Sequence, residues 1–428
     1  MDPSRSVGAS PPRKGRGWGW VSIGSFALLA LLVAFRSRVV VKRSIRRTVA
    51  AAKHRLYHER PGVAWETARP EKEGLSSAVL DSLCRVLAAN GTHAFLVVRG
   101  NHIVFEWYST KSGPNVPELT TAMAKAATAN IALLTAITDG RISLDDSASK
   151  YIPGWRNDTL RSRIRIGDLA AHQSGLDDVD FGLAGKGGLP DWKEQYFHHP
   201  DQRFGMAIGT VPLIDAPGAR SSYSGVGYYA LAYALTTSLK QANQHDIKTL
   251  LRERIMHPLG IQDDNWRLSY GASYQVDGMT LYAMGSGAAY TARAVARIGE
   301  LMLDHGRFGN QQLIDSAVIT KALQPATAPI PEDSSTYPVT PAAAGGGWWL
   351  NIRGAWPDVP RDAFAGMGGQ QEALLVVPSL DLVMVRLGAE MVPGDDQFAQ
   401  AFRDRLFDPL MHAVIGASSR MRQSSSAH

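Results

Sequence analysis

The sequence predicts an α/β (α+β) fold: an antiparallel sheet built from both chain ends and flanked by helices, a mostly helical subdomain, and one preceding transmembrane helix. Three observations predict it. Strand-like apolar runs occur early and late in the chain, with helical patterning between them. A sharp hairpin signal opens the first group of strands. A charge-free apolar stretch precedes the whole domain.

That stretch runs WGWVSIGSFALLALLVAF from Trp18 to Phe35, and Val39 to Val41 extend it past Arg36 and Arg38. It approaches the ~20 apolar residues that span a bilayer. Trp18 and Trp20 sit at one end, where amphipathic rings favour the membrane interface. No small-residue cleavage site follows, only Arg and Lys, which favours an uncleaved anchor over a signal peptide. The expected order is a basic tail over 1–17, an anchor over 18–41, a basic juxtamembrane linker over 42–65, the main domain over 66–415, and a disordered polar tail over 416–428. The linker suits either a lipid-surface helix or a solvated connection.

Charge follows the same division. The net charge of +6 is concentrated in residues 1–60, which carry 13 Lys and Arg against 2 Asp and Glu. The remainder carries 32 against 37 and is mildly acidic. A nucleic-acid-binding surface is therefore not expected on the folded domain. The positive charges flanking the anchor favour a cytoplasmic C-side by count.

Within the domain, HAFLVVRGNHIVFEWY alternates around Gly100-Asn101 and predicts a β-hairpin. The Ala-rich run TAMAKAATANIALLTAITDG predicts a helix closed at Gly140. The stretch from about Leu144 to Leu303 reads as mostly helical with long loops. GGGWWLNI, QEALLVV and DLVMVRLG then read as strands, and a last helix is expected near Gln397 to His412. Cys84, the single cysteine, lies in LDSLCRVL, where Leu80, Leu83, Cys84 and Leu87 share one helix face. A small buried apolar residue explains it better than a nucleophile does. No cluster of His, Cys, Asp and Glu has metal-ligand spacing, so no metal or other cofactor is expected.

Several segments, in order, carry a resemblance to a known family. They are Ala122-Met123-Ala124-Lys125 at a helix start, DGRISLDDSASKYIPGW, IRIGDLAAHQSGL, SSYSGVGYYAL, MHPLGIQDDNW, GSGAAYTARAVARIGELML and FAGMGGQQEALLVVPSLDLVMVRLG. Together they resemble the serine β-lactamase and penicillin-binding-protein superfamily over roughly Leu75 to Leu410. The Gly-Met-Gly-Gly-Gln segment is closest in style to its esterase and aminohexanoate-oligomer hydrolase branch.

The resemblance implies acyl transfer by a helix-borne serine, with a lysine one turn later and a tyrosine moving the proton. Two backbone N–H groups would hold the oxyanion. It maps the lysine onto Lys125, whose apolar neighbours predict burial and a depressed pKa. It maps the tyrosine onto Tyr223, though a core aromatic is the ordinary alternative. Gly225 stands where the family's Tyr-x-Asn has asparagine, removing an amide that positions substrate. On the strand lining the site, Ala363 to Gly366 replace a Lys-Thr-Gly, so no cation is available for a substrate carboxylate. Gly366, Met367, Gly368 and Gln370 are the candidate oxyanion and substrate-binding residues, and a strand bend is the alternative reading of the glycines. His172 and Ser174 read as structural, closing a loop. The resemblance also implies a domain outside the cytoplasm, against the charge count; the expectation is a single-pass protein of the cell membrane with its domain extracytoplasmic.

Ala122 holds the nucleophile position, and a methyl group cannot form an acyl-enzyme. Natural loss and deliberate Ser→Ala substitution fit equally. Rescue by Thr121 is disfavoured, because it lies about 100° away around the helix. The function expected is a β-lactamase-related serine hydrolase scaffold binding a small ester or amide substrate, inactive as written. The alternative is a non-catalytic envelope protein that binds peptidoglycan, a polymer or a protein partner. Oligomeric state is not legible.

Overall fold

The structure, a computed structural model, describes residues 64–179, 188–329, 343–391 and 398–415. The expected anchor, its flanks and the C-terminal tail lie outside the described residues. Among the described residues no helix is long and apolar enough to cross a membrane.

One eight-stranded sheet organises the domain. Its strands are β1 (Glu66–Thr67), β2 (Thr92–Arg99), β3 (His102–Tyr108), β4 (Ala343–Gly345), β5 (Trp348–Leu350), β6 (Phe364–Met367), β7 (Ala373–Val377) and β8 (Leu382–Gly388). Their spatial order is β1-β3-β2-β8-β7-β6-β5-β4. N-terminal and C-terminal strands meet where β8 pairs antiparallel with β2, from Leu382↔Arg99 to Leu387↔Ala94 and beyond. The sheet thus joins both chain ends, as expected. It departs from pure antiparallel pairing only at the edge, where the two residues of β1 run parallel to β3.

The β2–β3 hairpin turns at Gly100-Asn101, with φ values of 57° and 69°. Both central residues are left-handed, which matches the twist of the flanking strands. Along β2, β7 and β8 the side chains alternate between two cores. Leu96, Val98, Leu374, Val376, Val383 and Val385 face one; Phe95, Val97, Leu375, Val377, Leu382 and Met384 face the other. Both faces are covered, so these strands read as unbroken apolar runs rather than as alternation.

Helix α1 (Ser77–Ala89) and the C-terminal helical run from Phe398 to His412 supply the second face. Ser76 caps α1 at the Val79 N–H, and Leu80, Leu83, Cys84 and Leu87 are its buried stripe. Burial pushes the Cys84 thiol up to about 11, which leaves it uncharged and inert at neutral pH. The first face is covered by α2 (Lys125–Thr138), α3 (Gly225–Ser238) and α4 (Ala292–Leu303). The middle of the chain is less purely helical than its sequence suggests. Short strands at Trp266–Arg267, Tyr274–Val276, Met279–Leu281 and Ala289–Tyr290 occur there. At two or three residues each, they are too short to show a period of two.

Candidate active site

Helix α2 begins against β6. Thr120 is fixed first: its N–H and its hydroxyl both donate to Ala288 O, at 3.0 and 2.9 Å. A tight turn over Thr121–Met123 follows, then a wide π-helical turn over Lys125–Asn130, then regular helix. Such wide turns recur at functional sites. The run Met123 to Asn130 is buried, whereas Ala122 is only half-buried. β6 crosses here at Gly366, where an added Cβ would lie 2.8 Å from Ala126 Cβ and 3.1 Å from Met123 Cγ. Gly366→Ala is therefore expected to push strand from helix and to cost about 1–3 kcal/mol in urea denaturation.

Lys125 is 5% exposed. Its Nζ donates to Tyr223 Oη at 2.6 Å and to Gly285 O at 2.9 Å. It also lies 4.5 Å from the Tyr223 ring centroid and 5.2 Å from that of Tyr228. Burial lowers its pKa to about 8, opposed by the charges of Asp178 and Tyr270. Burial drives the Tyr223 phenol the other way, well above its ordinary value. A lysine that readily gives up its proton therefore donates to a phenol that holds its own. That arrangement suits proton relay between a nucleophile and a leaving group.

Tyr223 is clamped on both sides by His172. The Ser222 N–H donates to His172 O at 2.7 Å, and the Ser224 N–H donates to His172 Nδ1 at 3.0 Å. The imidazole also packs on the Tyr223 ring, with centroids 4.7 Å apart. Burial first, then the neighbouring Lys125, depress the His172 pKa to about 3. The ring is neutral, and Nδ1 is its acceptor nitrogen. The loop-closing role read from the sequence is thus incomplete, because His172 sits directly behind the tyrosine. Its φ of 58° suits asparagine among other residues. His172→Leu leaves a buried N–H unpaired and should lower stability by about 1–3 kcal/mol in urea denaturation. His172→Asn, which keeps an acceptor, should recover most of that loss.

Asp178 extends the clamp. Its carboxylate accepts the Gly225 N–H at 2.7 Å and the Val226 N–H at 3.0 Å, at the start of α3. An added Cβ on Gly225 would lie 3.7 Å from Asp178 Oδ1, an ordinary contact. Gly225 therefore contributes the anchored start of α3, and a carboxylate faces the position where the family pattern has an amide. Burial raises the Asp178 pKa, and the two N–H donors together with Lys125 oppose that rise.

The opposite wall comes from β5 and β6. Trp349 stacks on Tyr223 at 6.5 Å and 10°. β5 pairs with β6 at Trp349↔Ala365 and Leu350↔Phe364. The Gly368 N–H donates to Glu372 O, toward β7. Strand alternation then turns the Met367 N–H away from β7. The family resemblance would pair this Met367 N–H with the Ala122 N–H, in the turn that leads into α2. Gly366 supplies close approach, while Gly368 and the main chain of Gln370 are committed to the turn around Glu372. Tyr270 completes the rim: it is 62% exposed, has a φ of 54°, and shares a 2.9 Å hydrogen bond with Ser286.

A sequence profile of the family described as Beta-lactamase matches residues 80–408. The chain belongs to the beta-lactamase family. Among curated proteins, one from Escherichia coli (strain K12), named "Putative D-alanyl-D-alanine carboxypeptidase", is 27% identical over 241 residues. That match covers 50% of this chain and spans about half of the relative's own length, 51%. Among solved structures, "Putative 6-aminohexanoate-dimer hydrolase from Bacillus anthracis" aligns with a TM-score of 0.60 at 19% identity, over 82% of this chain and 87% of that one. A family VIII carboxylesterase aligns with a TM-score of 0.55 at 15% identity, over 81% of this chain and 98% of that one. These structures show the beta-lactamase-like fold. Within that fold, Lys125 and Tyr223 are in hydrogen-bond contact and Gly366 packs against Met123 and Ala126, on either side of Lys125 in sequence. Asp178, Gly285, Tyr270 and Glu372 were not singled out: Gly285 acts through its carbonyl, and the others come from loops or a turn with no motif.

Proposed function

We propose that this domain is an acyl-transfer scaffold of the ester- or amide-hydrolysing kind that lacks only its nucleophile. The observation that carries the reading is the 2.6 Å contact between Lys125 Nζ and Tyr223 Oη. A buried, easily deprotonated lysine against a neutral phenol is costly to keep unless it moves protons. Ala122 lies three residues before Lys125, one turn away on the same helix, where a serine hydroxyl would face it. The Ala122 and Met367 N–H groups would hold the oxyanion.

The substrate is a small neutral ester or amide. The wall at β6 offers Phe364, Ala365, Gly366 and Met367, with no cation to pair a substrate carboxylate. Arg386, two strands away on β8, is fully buried and bonded to Thr92 Oγ1 and Gln370 O. The test is a paired assay of the full-length Ala122 and Ala122→Ser chains on a chromogenic short-chain ester and on a penicillin-type probe. Ester turnover by the serine form alone, with little response to the penicillin, supports the reading. A folded serine form inert to both sinks it.

Ala122 itself favours a second reading, a non-catalytic protein binding an acyl ligand, peptidoglycan, a polymer or a protein partner through the same cleft. Binding without turnover in either form would support that instead. In both readings we place the chain in the cell membrane through residues 18–41, with this domain extracytoplasmic and no nucleic-acid partner. The apolar run supports the anchor, and the family resemblance supports the extracytoplasmic side against the count of flanking charges.

A further inference from the structure

Thr121 has a backbone φ of 38°, a conformation that a β-branched residue adopts only under constraint. Its hydroxyl explains what holds it there. Thr121 Oγ1 donates to Glu372 Oε2 at 2.8 Å and accepts the Gly369 N–H at 2.5 Å. The same carboxylate oxygen accepts the Gln370 N–H at 2.9 Å. Arg386, from β8, grips the turn from the other side by donating to Gln370 O at 2.8 Å. The approach is close enough to require glycine at 368. A Cβ there would lie 2.3 Å from Glu372 Oε2, 2.5 Å from Thr121 Oγ1 and 2.6 Å from Thr120 O.

We propose that Thr121 and Glu372 form a strap that positions the two halves of the oxyanion cradle. The two donors come from different elements: the Ala122 N–H from the tight turn that leads into α2, and the Met367 N–H from the end of β6. Thr121 immediately precedes the first. Gly369 lies two residues beyond the second. One hydroxyl and one carboxylate therefore fix the gap between them. Donors of this kind stabilise charge only at the position where the oxyanion forms, so small displacements act on the transition state rather than on substrate binding. Glu372 is fully buried, and its other oxygen, Oε1, has no hydrogen-bond partner among the described residues. That is a costly arrangement for a group that only fills space. Thr121 and Glu372 are positioning residues here, and neither is the reacting group. The inference rests on the acyl-transfer reading for its purpose, though not for its geometry.

The test uses the full-length chain in two backgrounds. In the Ala122→Ser form, Thr121→Val is expected to lower kcat about 10- to 100-fold with KM changed less than about threefold, the signature of a transition-state contact. Thr121→Ser keeps the hydroxyl and should recover kcat to within about threefold. In the unsubstituted Ala122 chain, Thr121→Val should speed hydrogen exchange in both 120–124 and 366–372, and leave the β2–β8 pairing protected. Equal kcat for Thr121→Val and its parent would overturn the strap, as would a Thr121→Ser form no better than Thr121→Val. If Ala122→Ser is inactive, exchange decides. Joint loosening of both segments keeps the strap and removes the hydrolase reading; unchanged exchange removes the strap. Were Thr121→Val unfolded, Thr121→Ser and Glu372→Gln, which can each keep the contact, would be expected to retain native exchange, and loss of protection in them would count against the strap. Fluorophosphonate labelling of the Ala122 chain at Thr121 would also overturn it, because the hydroxyl would then be a nucleophile.

Discussion

Ala122→Ser is expected to raise short-chain ester hydrolysis by the full-length chain by about 10³-fold or more. The size follows from what nucleophile removal costs in serine hydrolases, where binding and the oxyanion donors alone retain only a small residue of the rate. On the proposed reading, Lys125 and Tyr223 form the proton-moving pair. Lys125 is buried and bonded to Tyr223 and to Gly285 O. Tyr223 is held by His172 through the N–H groups of both neighbouring residues, Ser222 and Ser224. The added hydroxyl would enter a half-buried position at the helix start, so the substitution should cost little stability. The comparison needs only initial rates for the two chains under identical conditions.

Lys125→Met in the Ala122→Ser background is expected to remove most of that gain, again by about 10³-fold, with KM little changed. The pH profile of the serine form supplies a second check. The Lys125 pKa is lowered to about 8 in the folded protein, and the neutral amine is the form that accepts a proton. Activity should therefore rise with pH through about 8 and then level off, where an ordinary lysine would still be rising toward 10.5. His172 should add no limb near pH 6.5, because burial and Lys125 hold its pKa at about 3. The same shift makes Lys125 costly to the fold. Between pH 8 and 10.5 the unfolded chain binds the proton that the folded chain has released, so stability should rise with pH across that window. Met at this position should consequently raise the thermal midpoint at neutral pH in the Ala122 chain. A lysine limb that stays near 10.5, or Lys125→Met retaining full activity, would remove Lys125 from the proton path.

The sheet was legible because β2, β7 and β8 are buried on both faces and therefore unbroken in hydrophobicity, and because Gly100-Asn101 marks its turn. The order of segments pointed to Lys125, Tyr223 and the β6 glycines. The parts that escaped act through the backbone or from loops. Gly285 accepts a hydrogen bond through its carbonyl, which any residue possesses. Asp178 reaches the start of α3 from 47 positions upstream, and no local pattern signals that reach. The family resemblance gives the His172 segment a loop-closing role; its packing on Tyr223 exists only in three dimensions. Glu372 lies in the run QEALLVV, which reads as a strand, and its bond to Thr121 spans 251 positions. Gly225 lacks the amide side chain of the family pattern, and its backbone N–H is anchored on Asp178.

The most direct measurement is site-mapped covalent labelling. The full-length Ala122 and Ala122→Ser chains would be treated with a fluorophosphonate, digested, and the adduct located by mass spectrometry. A scaffold lacking only its nucleophile predicts one adduct, on residue 122, in the serine form alone, and its loss with Lys125→Met. No adduct in a folded Ala122→Ser chain would contradict that claim and leave a cleft built for binding.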